Sequence, residues 1–69
     1  MKTSARNQFS GTVKEMIKGP VNTEVTLTIT QEVEVVAMIS THSAASLGLA
    51  VGKRAYALIK SSSVVIAVD

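Results

Sequence analysis

From Val21 to Ile29 the chain alternates: Val21, Val25, Leu27 and Ile29 are apolar, and Asn22, Glu24, Thr26 and Thr28 between them are polar. A strand with one face in a core and the other in water has this period of two, so the segment is predicted to be a strand. Asn7 to Lys18 predicts an earlier strand, with Phe9, Val13 and Ile17 on one parity and Gly11 interrupting it as a bend or bulge. Gly19-Pro20 supplies the turn between the two. After Gln31 a third strand carries Val33, Val35, Ala37 and Ile39 inward and Glu32, Glu34, Val36 and Met38 outward. Ser40 to Leu47 alone reads as helix, with Ser40 or Thr41 as N-cap and Gly48 as the stop. Gly52-Lys53 turns the chain into a fourth strand from Arg54 to Lys60, Ser61-Ser62-Ser63 breaks it, and Val64 to Val68 makes a fifth.

The element order is βββαββ, an all-β chain with one short helix. Such an order, with the helix after the third strand, is that of an OB-like five-stranded barrel, and a glycine bend in a long first strand helps the barrel close. No linker, repeat or low-complexity tract divides the sequence, so residues 1–69 are expected to form a single domain. In the last two strands both parities are apolar: Ala55, Ala57 and Ile59 against Tyr56 and Leu58, then Val64, Ile66 and Val68 against Val65 and Ala67. A lone chain cannot hide both faces. Val36, Met38, Tyr56, Leu58, Val65 and Ala67 are therefore candidates for a subunit interface.

Length strengthens this expectation. A chain of 69 residues buries only about 60% of the surface its unfolded form exposes, and domains this small are usually stapled by disulfides, a metal or partner subunits. The sequence has no Cys and a single His, His42, which leaves self-association. No stretch is long and apolar enough to span a bilayer, and Met1 to Arg6 leads into polar residues rather than a signal core, so a cytoplasmic location without a membrane partner is expected.

The formal charge of +2 is mild, the basic residues are scattered except for Lys53-Arg54, and Phe9 and Tyr56 are the only aromatics. A nucleic-acid-binding OB module would need a basic stripe and stacking platforms, so this composition suits a small anion better than a polyanion. No nucleophile, base and orienter can be assembled from one His and five scattered carboxylates, so no enzyme is expected, and no direct metal-cation site either. A purely structural assembly domain is the remaining alternative.

Two polar clusters carry candidate chemistry. In Thr3-Ser4-Ala5-Arg6-Asn7-Gln8 an extended backbone puts Ser4 and Arg6 on one side about 6.5 to 7 Å apart, within reach of one small ligand. In Lys60-Ser61-Ser62-Ser63 an ammonium on the outer parity of its strand precedes a turn whose hydroxyls and N–H groups are donors. Together they suit a tetrahedral dianion held without a metal.

Ser4-Ala5-Arg6-Asn7-Gln8, continued by Phe9-Ser10-Gly11-Thr12-Val13, resembles the opening of the molbindins, small TOBE-type molybdate-binding proteins whose domain also occurs in molybdate-responsive regulators and transporter ATPases. Gly19-Pro20-Val21-Asn22-Thr23-Glu24-Val25 resembles their first hairpin, Leu47-Gly48-Leu49-Ala50-Val51-Gly52-Lys53 their helix exit, and Ala55 to Val64 their closing hairpin. The resemblance implies an OB-like barrel, subunits that pair by exchanging strand contacts, and dimers assembled into a homohexamer. It implies molybdate or tungstate bound between subunits, and an intracellular role in storage and homeostasis. It assigns Ser4 and Arg6 from one subunit and Lys60 and Ser61 from its neighbour to the oxyanion, with Asn7 and Ser62 as further candidates. A second class of site is implied near the threefold axis, for which Gly19, Ser40, His42 and Ser43 are candidates.

Overall fold

The computed structural model describes all of residues 1–69. Four strands, β1 (Asn7–Lys18), β2 (Asn22–Thr30), β3 (Val33–Ser40) and β4 (Arg54–Ile59), form one antiparallel sheet in the order β3-β2-β1-β4. A short helix, α1 (Thr41–Ser46), follows β3, and a single 3₁₀ turn, Ser61–Ser63, follows β4.

β1 shapes the sheet because it serves two partners in succession. From Asn7 to Thr12 it pairs with β4, and from Thr12 to Lys18 it pairs with β2. Gly11 sits where the partners change. A Cβ built there would lie 2.5 Å from the Thr28 carbonyl oxygen and 2.9 Å from Ile29 Cδ1, so only a residue without a side chain lets β2 come this close.

The bulge falls not at Gly11 but at Lys14: Val13 faces Leu27 and Glu15 faces Thr26, with no partner residue left for Lys14. The extra residue exchanges inside and outside for the rest of the strand. Val13 is buried and Met16 packs on the same core, whereas Ile17 is 54% exposed and Phe9, on the open half of the strand, is 39% exposed. Of the three residues expected to share a buried parity, only Val13 is inside.

From Thr23 on, β2 follows its alternation, with Thr23, Val25 and Leu27 buried and Ile29 packed beside them, but Val21, expected on the same face, precedes the strand and is 70% exposed. Thr23 is fully enclosed yet satisfied. The Thr41 hydroxyl donates to the Gly19 carbonyl at 2.6 Å, so its contact with the Thr23 hydroxyl at 2.8 Å must be Thr23 donating. This relay, with Thr41 N–H on the Val21 carbonyl at 2.7 Å, ties the β1–β2 turn to the start of α1. Ser40 caps the helix by accepting from the Ser43 N–H at 3.0 Å, and Gly48, at φ +66°, ends it.

β3 turns Val35, Ala37 and Ile39 toward the core and leaves Val36 and Met38 exposed, as its alternation predicts, whereas Val33, also expected inward, is 47% exposed at the start of the strand. Val64 to Val68 does not pair with any strand of the chain, and Val65, Ile66 and Val68 are at least 82% exposed. The expected fifth strand is not formed here because its own sheet gives it no ladder to join. The barrel is left as a curled half, with an apolar groove of about 440 Å³ lined by Val25, Leu27, Ala37, Ile39, Leu49, Ala55 and Ala57 among others. Only five of the 69 residues are buried, a small core even for a chain of this length.

The chain's one ion pair joins Lys14 to Glu34 at 2.5 Å, reaching over β2 from the bulge to β3. Its hydrogen bond to Glu34, then the charge of that carboxylate, raise the Lys14 pKa above its ordinary value. A raised folded value means the pair's contribution is complete at neutral pH and is lost as pH climbs through that value; being exposed, it is small. Gly11→Ala, by contrast, forces a methyl against a backbone carbonyl and should cost about 1–3 kcal/mol. At about 4–8 °C per kcal/mol for a domain of this size, thermal melts at pH 7 should show a clear drop for Gly11→Ala and little change for Lys14→Met. An unmoved Gly11→Ala midpoint would contradict the close approach of β2.

Candidate functional site

The β1–β4 register brings the two polar clusters of the sequence together. Its last pair is Asn7 with Ile59, so the residues just beyond it, Arg6 and Lys60, leave the same end of the sheet. The pairing is reinforced there by a side chain: Asn7 Nδ2 donates to the Ile59 carbonyl at 3.1 Å. Both segments of one chain thus start from the same sheet end, Arg6 and Lys60 each one residue beyond the last pair.

Upstream, short-range bonds shape the segment. The Ala5 N–H donates to Thr3 Oγ1 at 3.1 Å, and Gln8 Nε2 donates to the Ala5 carbonyl at 3.2 Å, folding the chain around Ser4 and Arg6, both exposed. Downstream, the Ser63 N–H donates to the Lys60 carbonyl at 2.9 Å and the Val64 N–H to the Ser61 carbonyl at 3.3 Å, closing the 3₁₀ turn. The N–H groups of Ser61 and Ser62 donate to no carbonyl, and their hydroxyls make no hydrogen bond within the chain. Neither Arg6 nor Lys60 has a carboxylate partner, because the single ion pair is that of Lys14. This end of the sheet therefore presents two cations, three hydroxyls and two turn N–H groups, a set richer in donors than in acceptors, to water.

Gly19, Ser40, His42 and Ser43 gather at the opposite end of β1, where the first turn meets α1. The Gly19 carbonyl accepts from Thr41, and the Ser40 and Ser43 hydroxyls bond each other at 2.8 Å within the helix cap. His42 is exposed and makes no hydrogen bond. Lys18 and Asn22, which the sequence reading did not single out, line a depression of about 300 Å³ beside Gly19 on the outer face. Another, of about 360 Å³, is lined by Arg54, Ser10, Thr12 and Thr28; only the register, which sets Thr12 opposite both Arg54 and Thr28, reveals it. No three His, Cys, Asp or Glu side chains are grouped to hold a metal ion.

The molybdenum transport protein ModE of Herbaspirillum seropedicae is 52% identical over all 69 residues, which span 26% of its length; the chain thus covers about a quarter of the first relatives it matches. Among solved structures, MopII from Clostridium pasteurianum is 37% identical and superposes with a TM-score of 0.91 over 97% of this chain and 100% of its own. The cytoplasmic molybdate-binding protein ModG, solved with molybdate bound, is 43% identical with a TM-score of 0.83, over 88% of this chain and 43% of its own. These likenesses agree with the OB-like barrel expected from the element order. Residues 3–66 match the TOBE domain, and the chain belongs to that family.

Proposed function

We propose that this chain binds molybdate, or its analogue tungstate, as an intact tetrahedral oxyanion, and that it does so to store and buffer the anion rather than to transform it. One observation supports this reading: the β1–β4 register ends on Asn7 with Ile59, so the segments carrying Ser4 and Arg6 and carrying Lys60 and Ser61 leave the same sheet end, with two unpaired cations and no carboxylate bonded to them. The names of ModE and ModG, which refer to molybdenum transport and to molybdate binding, support the choice of anion.

A guanidinium fork and an ammonium neutralise a dianion, while the Ser4 and Ser61 hydroxyls and the turn N–H groups bond its oxygens, with Ser62 alongside. A site dominated by donors also discriminates by protonation. Phosphate near neutral pH keeps a hydroxyl that needs an acceptor, and this cluster offers few beyond the lone pairs of its serine hydroxyls, whereas molybdate and sulfate arrive fully deprotonated.

The unfilled groove and the unpaired Val64–Val68 segment support assembly. Each is what the other lacks: an apolar cleft between sheet edges, and an exposed apolar strand without a ladder. In the proposed assembly a copy lends this segment to its neighbour, dimers build a homohexamer over Val36, Met38, Tyr56 and Leu58, and the oxyanion lies at a subunit boundary. The Gly19, Ser40, His42 and Ser43 surface is proposed as a second anion-contacting boundary. The description of ModG as cytoplasmic and the absence of any helix long and apolar enough to cross a membrane support a cytoplasmic role.

Arg6→Ala and Lys60→Ala each remove a charge-assisted hydrogen bond of about 1.5–3 kcal/mol, so each should weaken molybdate binding roughly tenfold or more. Equilibrium dialysis should record that loss with the native mass unchanged, and molybdate should raise the wild-type melting temperature far more than that of either variant. Full affinity in Lys60→Ala would remove the 60–62 turn from the site. For the assembly, Ile66→Asp places a charge on the lent strand, and sedimentation should find the particle dissociated; an intact oligomer would exclude strand exchange through this segment.

A further inference from the structure

We propose that Asn7 and Gln8 are positioning residues of the oxyanion site, not ligands, and that they set its shape before the anion arrives. The inference rests on the oxyanion reading above and concerns what holds its two segments together.

Neither segment belongs to regular structure. Ser4 to Arg6 precede the first residue of β1, and Lys60 lies between the last residue of β4 and the 3₁₀ turn, so main-chain ladders do not fix either one. Two side-chain amides take over at this point. Asn7 Nδ2 reaches across the last β1–β4 pair to the Ile59 carbonyl, one residue before Lys60, and Gln8 Nε2 reaches back to the Ala5 carbonyl, one residue before Arg6.

The acceptor in each case is a carbonyl, so the NH₂ side of the amide must face it; the partner, not the side chain, decides the orientation. That commits one of the two Asn7 N–H donors to the protein and fixes the plane of the amide, with its oxygen, an acceptor that repels an anion, turned the other way. The Asn7 bond is half-buried and spans the strands, while the Gln8 bond is exposed and local. Asn7 therefore fixes the distance between the Arg6 and Lys60 segments, and Gln8 fixes the bend that carries Ser4 and Arg6. Two free cations side by side would otherwise drift apart in the empty site, and binding would have to order both segments.

The test separates positioning from contact by measuring the protein without anion. Asn7→Leu keeps the shape but removes the donor. Hydrogen exchange of the Ser63 and Val64 amides, which close the turn, should accelerate about five- to tenfold in the molybdate-free variant, and molybdate affinity by dialysis should fall by a similar factor. At pH 8 Asn7→His, whose neutral ring offers an N–H at the same distance from the backbone, should restore both. Gln8→Leu, on an exposed side chain and so safe for folding, should accelerate exchange of the Ala5 amide, which donates to Thr3 within the bend, and weaken binding severalfold. Weaker binding in Asn7→Leu with unaltered anion-free exchange would make Asn7 a ligand and overturn the assignment, as would unaltered affinity. A wild type that takes up no molybdate would instead overturn the oxyanion reading, a distinct result.

Discussion

Everything in this fold depends on a single strand being shared. β1 spends its first half on β4 and its second on β2, and Gly11 allows β2 to pass at 2.5 Å from where a Cβ would stand. Without that close approach the sheet would stay open and flat, and β4 would have no reason to end beside the start of β1. The same sharing delivers Arg6 and Lys60 to one place, because the ladder that curls the sheet is the ladder whose last pair is Asn7 with Ile59. Fold and candidate site are thus two consequences of one register.

The second constraint is size. Val13, Thr23, Val25, Leu27 and Ala44 are all that the chain buries, and an apolar groove and an apolar strand stay exposed at its two ends. Such a chain gains most of its missing burial from copies of itself. A boundary between copies that also gathers unpaired cations is disfavoured until a dianion neutralises them. In the proposed function, ligand and assembly are thereby linked: the anion stabilises the contact, and the contact excludes water from the anion.

How much of this could be read beforehand varied by element. The body of β2 was legible, since an alternation of Val, Leu and Ile with Thr and Glu has one sensible reading, though Val21 proved exposed and Thr23 buried; so were the ends of α1, where Ser40 and Gly48 are chemically suited to cap and stop a helix. The bulge at Lys14 was not, because a bulge is decided by two strands in register, and nothing local to Lys14 announces it; Ile17 was misplaced for that reason. Val64–Val68 has the composition of a strand but no ladder within the chain, a fact of tertiary structure. At the site, the residue types were visible in Ser4, Arg6, Lys60 and Ser61, but their adjacency within one chain was not, nor were the amides of Asn7 and Gln8 recognisable as braces.

The central claim is that the oxyanion sits at a boundary between copies, so that neither exists fully without the other. Native mass spectrometry of the wild-type protein, titrated with molybdate from none to excess, addresses it directly. The account predicts a particle at a whole multiple of the chain mass, six by the proposed assembly, that retains molybdate in a fixed ratio to subunits and loses it whenever collisional activation ejects a subunit. A monomer carrying its own molybdate, or an assembled particle that never retains the anion, would contradict it.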